Sequence, residues 1–183
     1  MSTPPKPGFP EPYEEIAPTL YAWACLRIRP SLRGRIDPED VLQEVWVRAL
    51  AAERPRDVHD STFRAWIFGV AKNVLLEALR KTERGRGEGV GSETRRALVS
   101  GVPDQATAVS RRVAGDEALR LFVERARALP DEDRMILLHH GFEGLSHGTV
   151  ATRLGLPRDT VAKRWQRLRT RLLDDPQLRG LLP

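Results

Sequence analysis

The stretch LSHGTVATRLGLPRDTVAKRWQRLRTRLL, Leu145–Leu173, decides the fold. It divides into two short helices around a tight corner. Ser146 is placed as an N-cap for the first, and Val150, Ala151 and Leu154 follow at helical spacing. Gly155 stands where a helix C-terminus needs a left-handed residue. Pro157 suits the first turn of the next helix, where its missing N–H costs nothing. One face of that helix carries Val161, Trp165, Leu168 and Leu172. The other carries Arg158, Lys163, Arg164, Arg167 and Arg171, with Arg169 near the boundary. A helix, a glycine corner and a basic amphipathic helix make the pattern of a helix-turn-helix. Its guanidiniums are the groups that bond phosphates or grip guanine edges bidentately. A helical hairpin with a solvated basic face has the same periodicity but no use for the corner.

Upstream of this unit, DEDRMILLHHGFEG reads as a short helix capped by Asp131 that buries Met135, Ile136 and Leu138, with Leu137 buried in part. Glu117–Leu129 is a further helix, through Ala118, Leu121, Phe122, Arg125 and Leu129, and Pro130 ends it. Residues 83–112 are Gly-rich and charged at first and then lack a sustained period, which predicts a flexible linker. Beyond it lies a second helical module. Ile16, Leu20, Trp23, Ala24 and Ile28 give one stripe, stopped by Pro30. Asp37 caps a helix begun by Pro38, with Glu39 and Asp40 at the positive end of its dipole and Val41, Leu42, Val45, Trp46, Ala49 and Leu50 on the buried face. After a polar connection, Ser61 opens a long helix to about Lys81, whose stripe is Phe63, Trp66, Ile67, Val70, Ala71, Val74, Leu75, Ala78 and Leu79. Arg64, Phe68, Lys72, Asn73, Glu77, Arg80 and Lys81 lie on or near its other side. Cations on such a helix hold phosphates, and rings such as Phe63 and Trp66 either stack on unpaired bases or belong to the core. The fold class is therefore all-α: two small helical modules joined by a flexible linker, the C-terminal one a helix-turn-helix. The module boundaries fall at 13–82 and 113–175, with the linker at 83–112. The Pro-rich first twelve residues and the tail to Pro183 are expected to be disordered and frayed, respectively.

The chain has 183 residues, with 30 Lys+Arg against 25 Asp+Glu for a net charge of +5. The arrangement of charge therefore carries more information than its sum, and a basic face favours phosphate backbones. No apolar run is long enough to cross a bilayer, and MSTPPKPGFP lacks a signal peptide's apolar centre, so a soluble cytoplasmic chain is expected. Cys25 is single and sits among Ala22, Trp23 and Leu26, as a small buried hydrophobe would. Catalytic and metal sites are not expected. His139 and His140 are adjacent and point about 100° apart on a helix, and there is no phosphate-cradling loop, HExxH or CxxC. No cofactor is expected.

Three segments resemble a known family. DPEDVLQEVWVRAL resembles the region 2 core of bacterial RNA polymerase sigma factors, with its acidic pair, QE step and aromatic. FRAWIFGVAKNVLLEALRK resembles their promoter-melting helix, and the stretch from Leu129 to Leu173 resembles region 4. Their order and the two-module size are similar to the extracytoplasmic-function (ECF) class, which keeps only regions 2 and 4. The resemblance implies a dissociable specificity subunit whose partners are core RNA polymerase and promoter DNA, and it leaves room for an anti-sigma factor. Region 2 would dock on the polymerase clamp helices through Asp40, Gln43, Glu44, Val47 and Arg48. It would melt the −10 element, with Asn73 lining the pocket for a flipped base, Phe63 and Arg64 at the edge of the base-holding loop, and Trp66, Lys72, Arg80 and Lys81 along the same helix. Region 4 would read the −35 element through Arg158, Thr160, Lys163, Arg164, Arg167 and Arg171. Asp159, Ala162, Lys163 and Thr149 depart from the family pattern, which leaves the preferred −35 bases open. The competing class is an autonomous helix-turn-helix regulator that binds its operator as a dimer. A decoy adaptor is a third reading, disfavoured by the basic residues at both faces.

Overall fold

The computed structural model describes residues 10–52, 61–83, 104–173 and 180–182. Every regular element among them is helical: α1 (Pro10–Arg27), a 3-10 turn (Pro30–Leu32), α2 (Pro38–Ala51), α3 (Ser61–Glu83), α4 (Asp104–Ala114), α5 (Glu117–Arg127), α6 (Asp131–Ile136) running into a π-helical segment (Leu137–Phe142), α7 (His147–Leu154) and α8 (Arg158–Leu172). The stretch GRGEGVG and most of the expected linker lie outside the described residues, as do residues 1–9.

Local chemistry sets the helix ends. Asp37 Oδ1 accepts from Glu39 N at 2.9 Å, with Pro38 first in α2. Asp116 does the same for α5, accepting from Leu119 N at 3.0 Å. Ser146 Oγ accepts from Thr149 N at 3.1 Å. Gly155 adopts φ 65°, and the Leu156 N–H closes back on Ala151 O at 3.0 Å, which satisfies a carbonyl the end of α7 would otherwise strand. Two caps are shifted by one residue: Pro157, expected in the first turn of α8, is its N-cap, and Pro130 rather than Asp131 is the N-cap of α6, so α8 begins at Arg158 and α6 at Asp131.

The N-terminal core gathers around α1. Tyr13, Leu20, Trp23 and Ile28 are buried with Leu42, Trp46, Ile67 and Phe68. The Tyr13 ring meets Trp46 edge-on at 4.1 Å, and its hydroxyl donates to Leu42 O at 2.5 Å. Each such side chain contributes about 1.5–3 kcal/mol by leaving water. Phe68, placed off the stripe of α3 by periodicity, is fully buried, edge-on to Trp23 at 5.8 Å. With both α1 and α2 packed against α3, its apolar face is wider than one stripe.

The expected linker 83–112 needs correction at its C-terminal end. From Asp104 the chain is helical, and α4 packs on α1 and α2 through Ala106, Val109, Ser110 and Val113, all buried. These small residues recur at i, i+3, i+4 and i+7, a helical stripe of low hydrophobicity. The frayed-tail expectation also fails at its far end. Leu181 and Leu182 are buried, and Thr19 Oγ1 donates to Leu181 O at 3.2 Å.

The two modules are in contact. Helix α5 and the π-helical segment pack on α1, and Arg127 Nη2 donates to Cys25 O at 3.3 Å.

Candidate nucleic-acid interface

The helix-turn-helix turns its buried stripe inward and its cations outward. Val150, Ala151, Val161, Trp165, Leu168 and Leu172 are buried. Arg158, Lys163, Arg167 and Arg171 are exposed, and Thr160 is half-buried beside them. Arg164 differs from its neighbours: its Nη1 lies 2.6 Å from Glu132 Oε2 and 3.3 Å from Asp133 Oδ1, across to α6. It lines a groove with Pro130, Arg167, Leu168 and Arg171. Of the six residues expected to read DNA, it is the one held by acids among the described residues.

Behind this face, Trp165 packs tightly enough to dictate its neighbour. A Cβ on Gly141 would sit 2.8 Å from the end of the indole, so that position has room only for glycine. His140 meets the indole edge-on at 4.9 Å, and its ring lies tilted by 30° against that of His147 at 4.0 Å. Burial, then His140 and Arg158, pushes the His147 imidazole below its usual pKa. His140 Nδ1 donates to Leu145 O at 2.6 Å, which fixes the loop leading into α7. Among the described residues, no group of three or more His, Cys, Asp or Glu could hold a metal ion.

The second face is α3, and the structure divides its expected residues. Asn73, Arg80 and Lys81 are exposed. Phe63 is buried, 5.8 Å from a half-buried Trp66, so its ring is part of the core here. Arg64 and Lys72 are drawn into the C-terminal module. Arg64 Nε donates to Phe142 O at 2.9 Å and Nη2 to Gly141 O at 2.8 Å. Burial pushes the Arg64 guanidinium down to about 10. Lys72 Nζ lies 2.8 Å from Glu143 Oε2.

Glu143 was not singled out from the sequence. Its side chain is 0% exposed. Trp23 Nε1 donates to its Oε1 at 3.0 Å and Arg27 Nη2 at 2.5 Å, while His139 Nδ1 lies 3.0 Å from Oε2. Burial alone would raise the carboxyl. The bonds from His139, Lys72, Arg27 and Trp23 outweigh it and hold the group below the usual carboxylate range. The π-helical segment aims it: Gly144 follows at φ 70°, and the Leu145 N–H reaches back to His139 O at 2.9 Å.

The residues expected to meet polymerase, Asp40, Gln43, Glu44, Val47 and Arg48, are all half-buried on α2. Arg48 is a tie between helices: it grips Glu77 of α3 with two bonds of 2.9 and 2.6 Å and Glu44 with one of 2.7 Å. The Glu77 bond raises its pKa and lowers that of Glu77.

These two faces match two domains of one family in order. Residues 13–85 match Sigma-70 region 2, and residues 119–172 match Sigma-70, region 4. The ECF RNA polymerase sigma factor SigL of Mycobacterium tuberculosis (strain ATCC 25618 / H37Rv) is 34% identical over 155 residues, covering 83% of this chain and 79% of that protein. The chain belongs to the ECF class of RNA polymerase sigma factors. It is also 27% identical over 161 residues to the ECF RNA polymerase sigma factor RpoE of Cereibacter sphaeroides, covering 86% of this chain and 80% of that one. To the ECF RNA polymerase sigma factor SigE of Mycolicibacterium smegmatis it is 26% identical over 138 residues, covering 75% and 51%. No solved structure matches it. This ECF sigma factor acts in transcription initiation, and no helix among its described residues is long and apolar enough to cross a membrane.

Proposed function

We propose that this sigma factor divides promoter recognition between its two cationic faces. Helix α8 reads the −35 element in the major groove, with Arg167 and Arg158 as the leading candidates for base edges and Lys163 and Arg171 on phosphates. Helix α3 acts at the −10 element, where Asn73 bonds the edge of a flipped base with both its amide donor and its carbonyl. Arg80 and Lys81 track the backbone. Helix α2 docks on core polymerase through Asp40, Gln43, Glu44 and Val47, with Arg48 holding the surface in shape. Residues 13–82 and 113–175 are the working units, the first extended by α4. The chain has no reaction of its own, works in the cytoplasm and needs no cofactor. Its family leaves room for an anti-sigma partner.

The observation that carries this is the exposure of Asn73 on a basic helix in the same chain as an outward-facing helix-turn-helix. A regulator that only binds duplex DNA has no need of the first. In-vitro transcription with core polymerase on a promoter library is the test. Specific initiation dependent on the chain is expected. A footprint by the chain alone, as a dimer, with no transcript would favour the autonomous regulator.

A further inference from the structure

The cations at the module interface belong to the N-terminal side. Arg27 is in the last turn of α1 and Lys72 is on α3, helices whose buried stripes form the N-terminal core. Their side chains keep 25% and 37% of their exposure, whereas Glu143, which they grip, keeps none. The donors that converge on this carboxylate from the N-terminal module are a guanidinium, an ammonium and the Trp23 indole N–H. Oxyanion recognition uses this chemistry, and it fits a phosphate as well as a carboxylate. Two cations face a single negative charge, with Arg64 bonded to the carbonyls of Gly141 and Phe142 alongside. Lys72 also precedes Asn73 in the chain, so its phosphate-binding position adjoins the amide assigned to a base.

We propose that Glu143 occupies a phosphate site of the N-terminal module: in the free chain the C-terminal module covers Arg27 and Lys72, and these take a phosphate of single-stranded DNA once the modules part. This rests on the assignment of α3 to the −10 strand and adds Arg27 on α1 to it. The same donors cannot hold Glu143 and a phosphate together, so closure and DNA binding compete. A chain that is about nine-tenths closed binds DNA about tenfold more weakly than its open form. By reciprocity, single-stranded DNA opens the chain.

The test uses the full chain. Spin labels go on Glu83→Cys and Gln166→Cys, both exposed positions on α3 and α8, with Cys25→Ala, and the distance between them is read by pulsed EPR. A fluorescein-labelled single strand, read by anisotropy on unlabelled protein, reports binding. Glu143→Gln, which keeps the shape and loses the charge, and Glu143→Ala are expected to lengthen the distance and tighten single-strand binding about tenfold. Adding Arg27→Ala to Glu143→Ala is expected to weaken binding again and to lower the slope of log affinity against log salt by about 0.7, the signature of one lost phosphate contact. Loss of a merely structural arginine would leave that slope alone. Titrating the parent chain with the single strand is expected to lengthen the distance with no substitution at all, which keeps the test decisive if a Glu143 variant misfolds. An unchanged distance in both the variants and the titration overturns the latch. A longer distance with unchanged binding overturns the phosphate site and leaves the latch standing. Loss of all single-strand binding in the parent and the open variants alike removes the −10 assignment itself.

Discussion

The two basic helices differ in what their cations touch. On α8, Arg158, Lys163, Arg167 and Arg171 are exposed, opposite a buried stripe that anchors the helix. On α3, the residues nearest the other module, Arg64 and Lys72, are spent on its carbonyls and on Glu143. Both helices are basic and amphipathic in sequence, but α8 commits only Arg164 to neighbouring acids, whereas α3 commits Arg64 and Lys72 to the other module and keeps Arg80 and Lys81 exposed. The difference comes from neighbours. Among the described residues, the basic side of α8 is met by Glu132 and Asp133 through Arg164, whereas α3 lies beneath the segment that carries a buried acid. Charge composition therefore reports which faces are fit for nucleic acid, and tertiary contact decides which of them is available.

The contrast breaks most completely where the covering segment is made. Gly141→Ala would place a methyl 2.8 and 2.9 Å from the end of the Trp165 ring and 3.2 Å from Leu137. Overpacking of this kind costs about 1–3 kcal/mol. Because Trp165 also anchors α8, the melting midpoint of the chain is expected to fall. The module distance measured by EPR is expected to lengthen at the same time. A lowered midpoint with unchanged closure would show that Glu143 is aimed by something other than the π-helical turn.

A smaller effect tests the availability of the outward face. Arg167→Ala is expected to weaken −35 duplex binding by about 1–3 kcal/mol if its guanidinium grips a base, and to relax preference at one position. A uniform loss across sequences would make it a phosphate contact. Arg164→Ala is expected to cost less, since that guanidinium begins on Glu132 and Asp133. Glu132→Gln combined with Asp133→Asn would then free Arg164 and tighten binding. Equal losses from the two arginine variants would show that the acids release Arg164 without cost. The third test in order of size concerns α3. Asn73→Ala is expected to leave closed promoter binding intact and to reduce open-complex formation about tenfold, the loss of one base-edge bond pair, read by permanganate reactivity of unpaired thymines. A parent-like footprint returns Asn73 to an ordinary exposed residue.

What could be read from the sequence was local. Asp37, Ser146 and Gly155 act on backbone groups within a few residues, so their identity states their role. The stripe of Val161, Trp165, Leu168 and Leu172 likewise follows from period alone. Phe68 was misplaced because α1 adds a second buried side to α3, and no window along α3 contains α1. Helix α4 was passed over because its stripe of Ala106, Val109, Ser110 and Val113 has the right period but is built of small residues, and it follows a Gly-rich charged stretch that reads as linker. Glu143 was out of reach for a different reason. Its partners Trp23 and Arg27 lie 120 and 116 residues away, and an acid in a polar GFEG step looks solvated until the fold buries it.

The smallest expected effect separates a docking residue from a scaffold residue on α2. Arg48 was expected to meet polymerase, yet its guanidinium bonds Glu77 twice and Glu44 once. Its side chain is 34% exposed and Glu77 is 45% exposed, so solvent and salt screen the pair. Such pairs contribute only about 0.2–1 kcal/mol. Arg48→Ala is therefore expected to lower stability by less than about 1 kcal/mol, with the loss shrinking further in high salt. Glu77→Gln keeps the acceptor oxygen and removes only the charge, so it is expected to cost less than Arg48→Ala. The two changes combined should cost less than their sum, because they remove one shared interaction. Binding to core polymerase decides the role. If Arg48 only holds α2 against α3, Arg48→Ala and Glu77→Ala weaken polymerase binding to the same small extent. If Arg48 turns outward to meet the polymerase, its removal weakens binding far more than removal of Glu77. In that case the salt bridge belongs to the free chain alone, and α2 resembles α3 in keeping a cation occupied until its partner arrives.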